Sequence, residues 1–227
     1  MQYRIDHVGR ARAPVLVVEN AWPDPQQLIE AAAARSDYSV RSLYYPGVRS
    51  SAPPDYVRGS VAMLQDLIRS TFDLAGELAI TDSTFSLVLT PPQKLVPFQR
   101  VPHFDSADPN RIAVLHYLSD RGGTSFYRHR KSGIEIVTAD LQERYMRLVN
   151  TEVNTIGMPP AEYVDGDTPL FERTARYDAV FNRMLIYRGC MLHSVNVPPG
   201  FVPDANPRTG RLTVNTFLAA VPSGASL

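Results

Sequence analysis

Hydrophobic and polar positions follow two different periods along the chain, and the change of period divides it into two parts. Residues 13–19 (APVLVVE) form an almost unbroken apolar, β-branched run, which predicts a short buried strand. Asp24 precedes Pro25 and a set of apolar positions at helical spacing, a pattern typical of a capped helix. A second helix is predicted over residues 55–75 for the same reason. We expect this first part, about residues 1–80, to pack against the rest of the chain.

From about residue 83 the pattern is mostly that of short strands. Strands are predicted at residues 84–90, 111–119, 124–131, 176–189, 192–197 and 211–221. Residues 94–105 carry internal prolines and indicate an irregular or edge strand. A helix over residues 138–154 is predicted inside an insertion at about 131–175. Two helices followed by seven or eight strands predict one α+β domain, mainly β, over residues 1–227, in which helices back a sandwich or barrel at about 83–221.

The composition is that of a globular protein, with 44% hydrophobic and 20% charged residues. Lys and Arg together number 23, as do Asp and Glu, so the formal net charge is zero. This balance argues against a nucleic-acid or anionic-membrane binder, because both depend on a positive field. No run approaches the roughly 20 apolar residues of a membrane span. The single cysteine, Cys190, and the absence of a signal-peptide pattern predict a reducing, cytoplasmic setting.

A histidine and a carboxylate two positions apart are the first candidate for chemistry. On a strand, residues i and i+2 point to the same face, so His103 and Asp105 can meet at one point. A second imidazole from a neighbouring strand would complete a facial triad of two histidines and one carboxylate, which suits non-haem Fe(II). The alternative is a surface turn in which Asp105 caps the loop of residues 106–110.

Two later segments favour the metal interpretation. His193 lies between two predicted strands, as the second imidazole requires. Arg211 and Thr213 share one face of the last strand, and a guanidinium beside a hydroxyl suits a carboxylate ligand. Arg208, which precedes a predicted turn, is a competitor for that carboxylate.

Taken in order, these motifs resemble those of the Fe(II)- and 2-oxoglutarate-dependent dioxygenases, in particular the prolyl 4-hydroxylase-like branch. The resemblance comprises the His-x-Asp pair, the strand RIAVLHYLS (111–119), the hairpin GGTSF (122–126), the distal histidine, the basic residue on the last strand and the opening segment at 14–32. It implies a double-stranded β-helix (jelly-roll) fold. It also implies site residues: His103, Asp105 and His193 as iron ligands, and Arg211, Thr213 and Tyr117 as ligands of 2-oxoglutarate.

Other residues are weaker candidates for substrate contact. They are Tyr127 and His129 on one face of a predicted strand, Arg183 before the distal histidine, and Tyr44 and Arg49 in the loop predicted over residues 44–54. A solvated strand end or a packing loop is the alternative for most of them, and Arg183 would need an anionic partner if buried. The insertion either covers the barrel mouth or packs on the outer face, where it would serve stability or a homodimer. His116, among apolar neighbours, is interpreted as a hydrogen-bonded core histidine.

The resemblance implies an Fe(II)- and 2-oxoglutarate-dependent oxygenase. Its reaction would hydroxylate an unactivated C–H of an amino acid, a peptide or a small metabolite. Two alternatives remain: a jelly-roll binding protein without catalysis, and a cupin-like metalloenzyme that does not use 2-oxoglutarate. Arg211 discriminates between the enzyme classes, because an enzyme of the second kind has no need of a carboxylate clamp.

Overall fold

Two antiparallel sheets form the framework of the computed structural model, which describes residues 2–198 and 200–221. The strands are β1 (Gln2–Val8), β2 (Ala13–Glu19), β3 (Gly47–Ser51), β4 (Glu77–Val88), β5 (Arg111–Tyr117), β6 (Gly123–His129), β7 (Phe171–Asp178), β8 (Met184–Arg188), β9 (His193–Asn196) and β10 (Leu212–Val221). The helices are α1 (Pro25–Ala33), α2 (Pro54–Thr71) and α3 (Ala139–Ile156). Within the described ranges, none of these helices has the length and apolar character needed to traverse a bilayer.

The two sheets face each other as the halves of a jelly roll. The larger sheet has the strand order β1-β2-β8-β5-β10-β4-β3, and the smaller sheet has the order β7-β6-β9. Side chains alternate across the larger sheet: Ala113, Leu115 and Tyr117 of β5 face the smaller sheet, where they pack with Phe126. The mainly β jelly-roll fold expected from the sequence is confirmed.

The N-terminal helices cover the outer face of the larger sheet. Leu64 and Ile68 of α2 pack against Ile112 and Ile186 of the sheet, in one buried apolar cluster. Helix α1 begins as predicted, because the Asp24 carboxylate accepts a hydrogen bond from the backbone N–H of Gln27. Both helices therefore brace the framework from outside and leave the space between the sheets to other side chains.

Some local predictions are wrong. The region predicted as a loop over residues 44–54 contains β3, which pairs with β4 at the edge of the larger sheet. Residues 94–105 are irregular, with two 3-10 turns in or beside the segment, so the edge-strand alternative is wrong. The single strand expected over residues 176–189 is two, β7 and β8, in different sheets. Strand β1 carries no apolar run and was not predicted.

The predicted core histidine is confirmed. His116 is fully buried on the helix side of β5. Its Nδ1 lies 2.8 Å from the Tyr56 hydroxyl, and its Nε2 lies 3.0 Å from Oδ1 of Asn182. The Asn182 amide is oriented by Trp22, whose carbonyl accepts from Nδ2 and whose N–H donates to Oδ1. Nε2 of His116 therefore carries the proton and Nδ1 accepts from Tyr56.

This network predicts a loss of stability in acid. Burial lowers the pKa of His116 to about 4, whereas in the unfolded chain it is about 6.5. As the pH falls below 6.5, the unfolded chain takes up a proton that the native ring does not, so the free energy of unfolding decreases until about pH 4. The expected loss from this residue is about 3 kcal/mol. Urea unfolding of wild type and His116→Gln between pH 7 and pH 4 measures it; parallel curves for the two proteins would contradict the prediction.

Candidate metal and cosubstrate site

Backbone hydrogen bonds bring the predicted ligand segments together between the sheets. The segment before β5 meets the start of β9, where His103 and His193 exchange two backbone hydrogen bonds of 2.9 and 2.8 Å. Two residues on, the N–H of Asp105 donates to the carbonyl of Gly189, 2.7 Å away, just after β8. The two segments are thus fixed to the ends of both sheets by the main chain alone.

The side chains of His103, Asp105 and His193 converge. Nε2 of His103 lies 3.8 Å from Oδ1 of Asp105, and Nε2 of His193 lies 3.5 Å from Oδ2. One ligand atom from each of the three lies within 4.8 Å of the others. The side-chain exposures are 37% for His103, 22% for Asp105 and 7% for His193, so the cluster opens on the His103 side. Two imidazoles and one carboxylate form the donor set of a facial triad.

The protonation of the histidines suits metal binding. Nδ1 of His193 lies 2.9 Å from the carbonyl oxygen of Met191, which can only accept, so Nδ1 carries the proton and Nε2 keeps its lone pair. Burial, with smaller contributions from His193 and Arg49, holds the pKa of His103 well below its usual range. Neutral imidazole is the form that binds a metal. Burial also raises the pKa of Asp105, as expected for a carboxylate in a poorly solvated place.

Helix α3 supports the ligand segments from the back. Phe104, between two of the proposed ligands, points away from the triad, and so does Leu192, which precedes the third. Both enter an apolar cluster on the outer face of the smaller sheet, covered by Tyr145 of α3. The rings of Phe104 and Tyr145 meet edge to face, with centroids 6.1 Å apart. Helix α3 thus packs on the outer face of the smaller sheet, which was the second of the two alternatives for the insertion. From there it supports the segments that carry the proposed metal ligands.

We expect Tyr145→Ala to weaken metal binding without touching a ligand. The cavity left under α3 allows the His103–Asp105 segment to move, and loss of orienting contacts behind a metal ligand typically costs about 10- to 100-fold in affinity. Metal titration of the folded variant measures the effect. Leu64→Ala, which opens a cavity under α2, is the control for general destabilisation. Equal affinities in the two variants would refute a supporting role for α3.

A buried arginine lies at the other end of the same interior. Arg211 is 3% exposed and donates from Nη2 to the carbonyl of Gly123 over 2.9 Å. Its Nε has no hydrogen-bond partner, and among the described residues no carboxylate lies within ion-pairing distance. An unpaired buried guanidinium is costly unless an anion binds it. The site therefore fits the distal carboxylate of 2-oxoglutarate.

Strand register places a row of polar side chains beside this arginine. Thr213 of β10 pairs with Ser86 of β4 on one side and Tyr117 of β5 on the other, and Ser86 pairs in turn with Arg49 of β3. Paired residues of adjacent strands share a face, and Tyr117 belongs to the cluster between the sheets, so the whole row points inward. The hydroxyls of Thr213 and Tyr117 donate to Asn215 and to Thr124 respectively.

Tyr45 is a cosubstrate candidate that the sequence did not reveal as such. Its hydroxyl is buried and has no hydrogen-bond partner within the described ranges, and the Arg49 guanidinium lies 4.3 Å from the centre of its ring. Burial raises the pKa of the Tyr45 hydroxyl, while Arg211 and Arg49 oppose the rise, which places this hydroxyl in the field of both cations. The signal in the sequence is position alone: Tyr45 lies two residues before β3, whose strand character was not predicted.

Arg208 does not compete for this place. It forms an ion pair with Glu30 of α1, and both side chains are about half exposed. Arg208 therefore lies on the protein surface beside the N-terminal helix, outside the space between the sheets.

Several predicted substrate residues lie elsewhere. Tyr127 and His129 point to the outer face of the smaller sheet, where Tyr127 donates to the carbonyl of Val164 and Nε2 of His129 lies 2.8 Å from a carboxylate oxygen of Glu152 on α3. This corrects the expectation that they line the pocket. All seven residues of β6 are buried, because the helix covers the face that would otherwise be solvated.

Arg183 and Tyr44 also lie apart from the triad. Arg183 donates from Nη2 to Glu19 of β2 over 2.6 Å, so the anionic partner it needs is supplied at the edge of the sheet. Tyr44 is 69% exposed and packs against Phe98 on the surface, so its contact with substrate stays a prediction. Of the weaker candidates, Arg49 faces the interior.

After α3, the insertion returns to the end of the interior where Tyr45 lies. There Tyr163 donates to the carbonyl of Thr90 and packs near Tyr45.

Comparison with protein families adds a match along nearly the whole chain. A model described as a family of unknown function (DUF6445) matches residues 1–218. The chain belongs to this family. A search of curated proteins gave no significant match. Membership of DUF6445 fixes relatedness but brings no activity with it, so the chemistry must be argued from the site.

Comparison with solved structures identifies the fold of this DUF6445 member. HygX from Streptomyces hygroscopicus, with nickel and 2-oxoglutarate bound, has a TM-score of 0.52 at 14% identity, over 92% of this chain and 84% of that one. An N-substituted L-amino acid dioxygenase from Burkholderia ambifaria AMMD has a TM-score of 0.49 at 10% identity, over 96% and 94%. The viral collagen prolyl hydroxylase of Paramecium Bursaria Chlorella virus-1 has 0.48 at 8%, over 91% and 96%. The fold implied by the resemblance to Fe(II)- and 2-oxoglutarate-dependent oxygenases is confirmed by the similarity to HygX.

Proposed function

We propose that the protein is a non-haem Fe(II)- and 2-oxoglutarate-dependent oxygenase that hydroxylates an unactivated C–H of a small molecule, an amino acid or a peptide. One observation carries the proposal: a cluster of two imidazoles and a carboxylate shares its interior with a buried guanidinium that has no anionic partner among the described residues. The two halves match the two parts of one cofactor set, a divalent metal and a dicarboxylate. The similarity to HygX, whose structure holds nickel and 2-oxoglutarate, supports the proposal.

Each residue then has a defined task. His103, Asp105 and His193 hold the metal, and the carbonyl of Met191 keeps the His193 lone pair directed at it. Arg211 receives the distal carboxylate, and the hydroxyls of Thr213, Tyr45 and Tyr117 line the same end of the interior. When bound, Fe(II) and 2-oxoglutarate would supply O2 activation: one oxygen atom of O2 would be used in the oxidation of 2-oxoglutarate to succinate and CO2, and the other would pass to the substrate C–H as a hydroxyl group. The apolar side chains between the sheets exclude water from this reaction.

Anaerobic titration tests the proposal. Fe(II) is added to the protein first and 2-oxoglutarate second, while the visible absorption spectrum is followed. We expect a metal-to-ligand charge-transfer band on the second addition, because 2-oxoglutarate would chelate the bound metal. Fe(II) binding without the band would favour a cupin-like metalloenzyme instead. Failure to bind Fe(II) at all would favour a binding protein without this catalysis.

A further inference from the structure

Arg49 is a second inward-facing arginine whose charge the proposed cofactors do not use. It lies on β3, paired with Ser86, at the end of the polar row that includes Thr213. Its guanidinium stacks on the ring of Tyr45, and its Nε is buried with no hydrogen-bond partner in the part of the chain that the structure describes. No described residue places a carboxylate within ion-pairing distance of it. Stacking holds the plane of the guanidinium and leaves its edge free for a bidentate partner.

The position of Arg49 relates it to the metal ligands as well as to Arg211. Burial and His193 lower the pKa of His103, and the charge of Arg49 adds to that effect, whereas at Asp105 burial raises the pKa and the charges of His193 and Arg49 oppose the rise. It also acts on the Tyr45 hydroxyl, together with Arg211. Arg49 therefore lies in the same poorly solvated interior, within electrostatic reach of both ends of the site.

Charge balance shows what the site still lacks. Fe(II) and Arg211 supply three positive charges, and Asp105 with the two carboxylates of 2-oxoglutarate supplies three negative charges, while the histidines are neutral. The loaded site is then balanced without Arg49, whose single positive charge has no counterpart among residues 2–198 and 200–221. A partly buried cation without a partner carries a desolvation cost that one monovalent anion would offset. A planar carboxylate meets this requirement in charge and in geometry, whereas a phosphate brings about two charges.

We propose that Arg49 binds a carboxylate of the substrate, so that the substrates of this protein are carboxylic acids. The inference rests on the proposed oxygenase function and specifies its substrate class. Arg49 would orient the substrate beside the triad from the β3 edge, while Arg211 remains occupied by the cosubstrate. The open His103 side of the cluster gives the substrate access to the metal.

Binding of matched acid and amide probes tests this assignment. The protein is loaded with Zn(II), which does not turn over, and with saturating 2-oxoglutarate. Benzoate and benzamide, then N-acetylglycine and its primary amide, are titrated in with detection by saturation-transfer NMR. We expect wild type to bind each acid about tenfold more tightly than its amide, since a charged hydrogen-bonded pair contributes about that much. Arg49→Gln should lose the preference, and Arg208→Gln, a surface arginine, should keep it.

Affinity for 2-oxoglutarate, measured by calorimetry, separates the outcomes. We expect Arg49→Gln to change it less than about threefold, because Arg211 binds the cosubstrate. A loss as large as that of Arg211→Gln would place Arg49 on the cosubstrate and overturn the inference. Equal binding of acid and amide to loaded wild type would overturn the inference about Arg49 and leave the oxygenase proposal standing. A preference for the acid that survives Arg49→Gln would do the same. Failure of wild type to bind Zn(II) and 2-oxoglutarate would overturn the oxygenase proposal and this inference with it.

Discussion

His193→Ala is expected to lower the affinity for Fe(II) by more than about a hundredfold, since even residues that only orient a ligand contribute 10- to 100-fold. His193 is the least exposed of the three proposed ligands, and its lone pair is directed by the carbonyl of Met191. Removal of its ring leaves one imidazole and one carboxylate, too few groups for a facial site. Anaerobic Fe(II) titration, or Co(II) absorption as a spectroscopic substitute, measures the loss.

An exposed histidine provides the matched control. His7 lies on β1, at the far edge of the larger sheet, and His7→Ala should bind metal as wild type does. Asp105→Asn is expected to behave like His193→Ala, because it keeps the shape of the side chain but removes the negative charge. Wild-type affinity in His193→Ala would show that the cluster is not the metal site.

Arg211→Ala is expected to weaken 2-oxoglutarate binding by about ten- to a hundredfold, the range for a hydrogen bond to a charged group. Arg211→Lys should recover only part of the loss, because an ammonium lacks the planar fork that meets both carboxylate oxygens. Calorimetric titration of the Zn(II)-loaded protein measures both variants. Metal affinity should be unchanged in each, since the ligands lie at the other end of the interior.

Arg208 again supplies the comparison. Its ion pair with Glu30 is exposed, so Arg208→Ala should leave 2-oxoglutarate affinity at the wild-type level. A large loss of 2-oxoglutarate affinity in Arg208→Ala, with no loss in Arg211→Ala, would show that Arg208 and not Arg211 binds the carboxylate. The paired variants therefore decide between the two candidates that the sequence left open.

The sequence was most informative where chemistry depends on short spacing. In an extended chain, residues i and i+2 point to the same face. This rule predicted that His103 and Asp105 share a face, and that Arg211 and Thr213 do so as well. The position of His193 between two predicted strands made it a candidate, but its meeting with His103 was expected mainly from the resemblance to a family, because no local rule brings together residues 90 positions apart. The roles of these residues as ligands stay predictions that the experiments above address.

The failures have physical causes. Alternation tells which residues share a face, but a strand buried on both faces gives no sign of which face is inward, and β6 is such a strand. Tyr127 and His129 were therefore assigned to the wrong side. Arg183 finds its partner in Glu19, 164 positions away, a contact that depends on the β2–β8 pairing. Strand β3 is short, polar and flanked by proline, so its pairing with β4 left no local pattern.

The two backbone hydrogen bonds between His103 and His193 pair the ligand segments through the main chain, so the site is assembled before a metal ion binds. The chain orders its ligands during folding, so metal binding adds stability by mass action alone, about 2.7 kcal/mol at a free ion concentration of 100 times Kd. Chelation should then leave a folded apoprotein that accepts a different divalent ion on reloading. The metal found after purification would then reflect both the ions available in the expressing cell and the relative affinities of the site, and the identity of the working metal must be established by reconstitution.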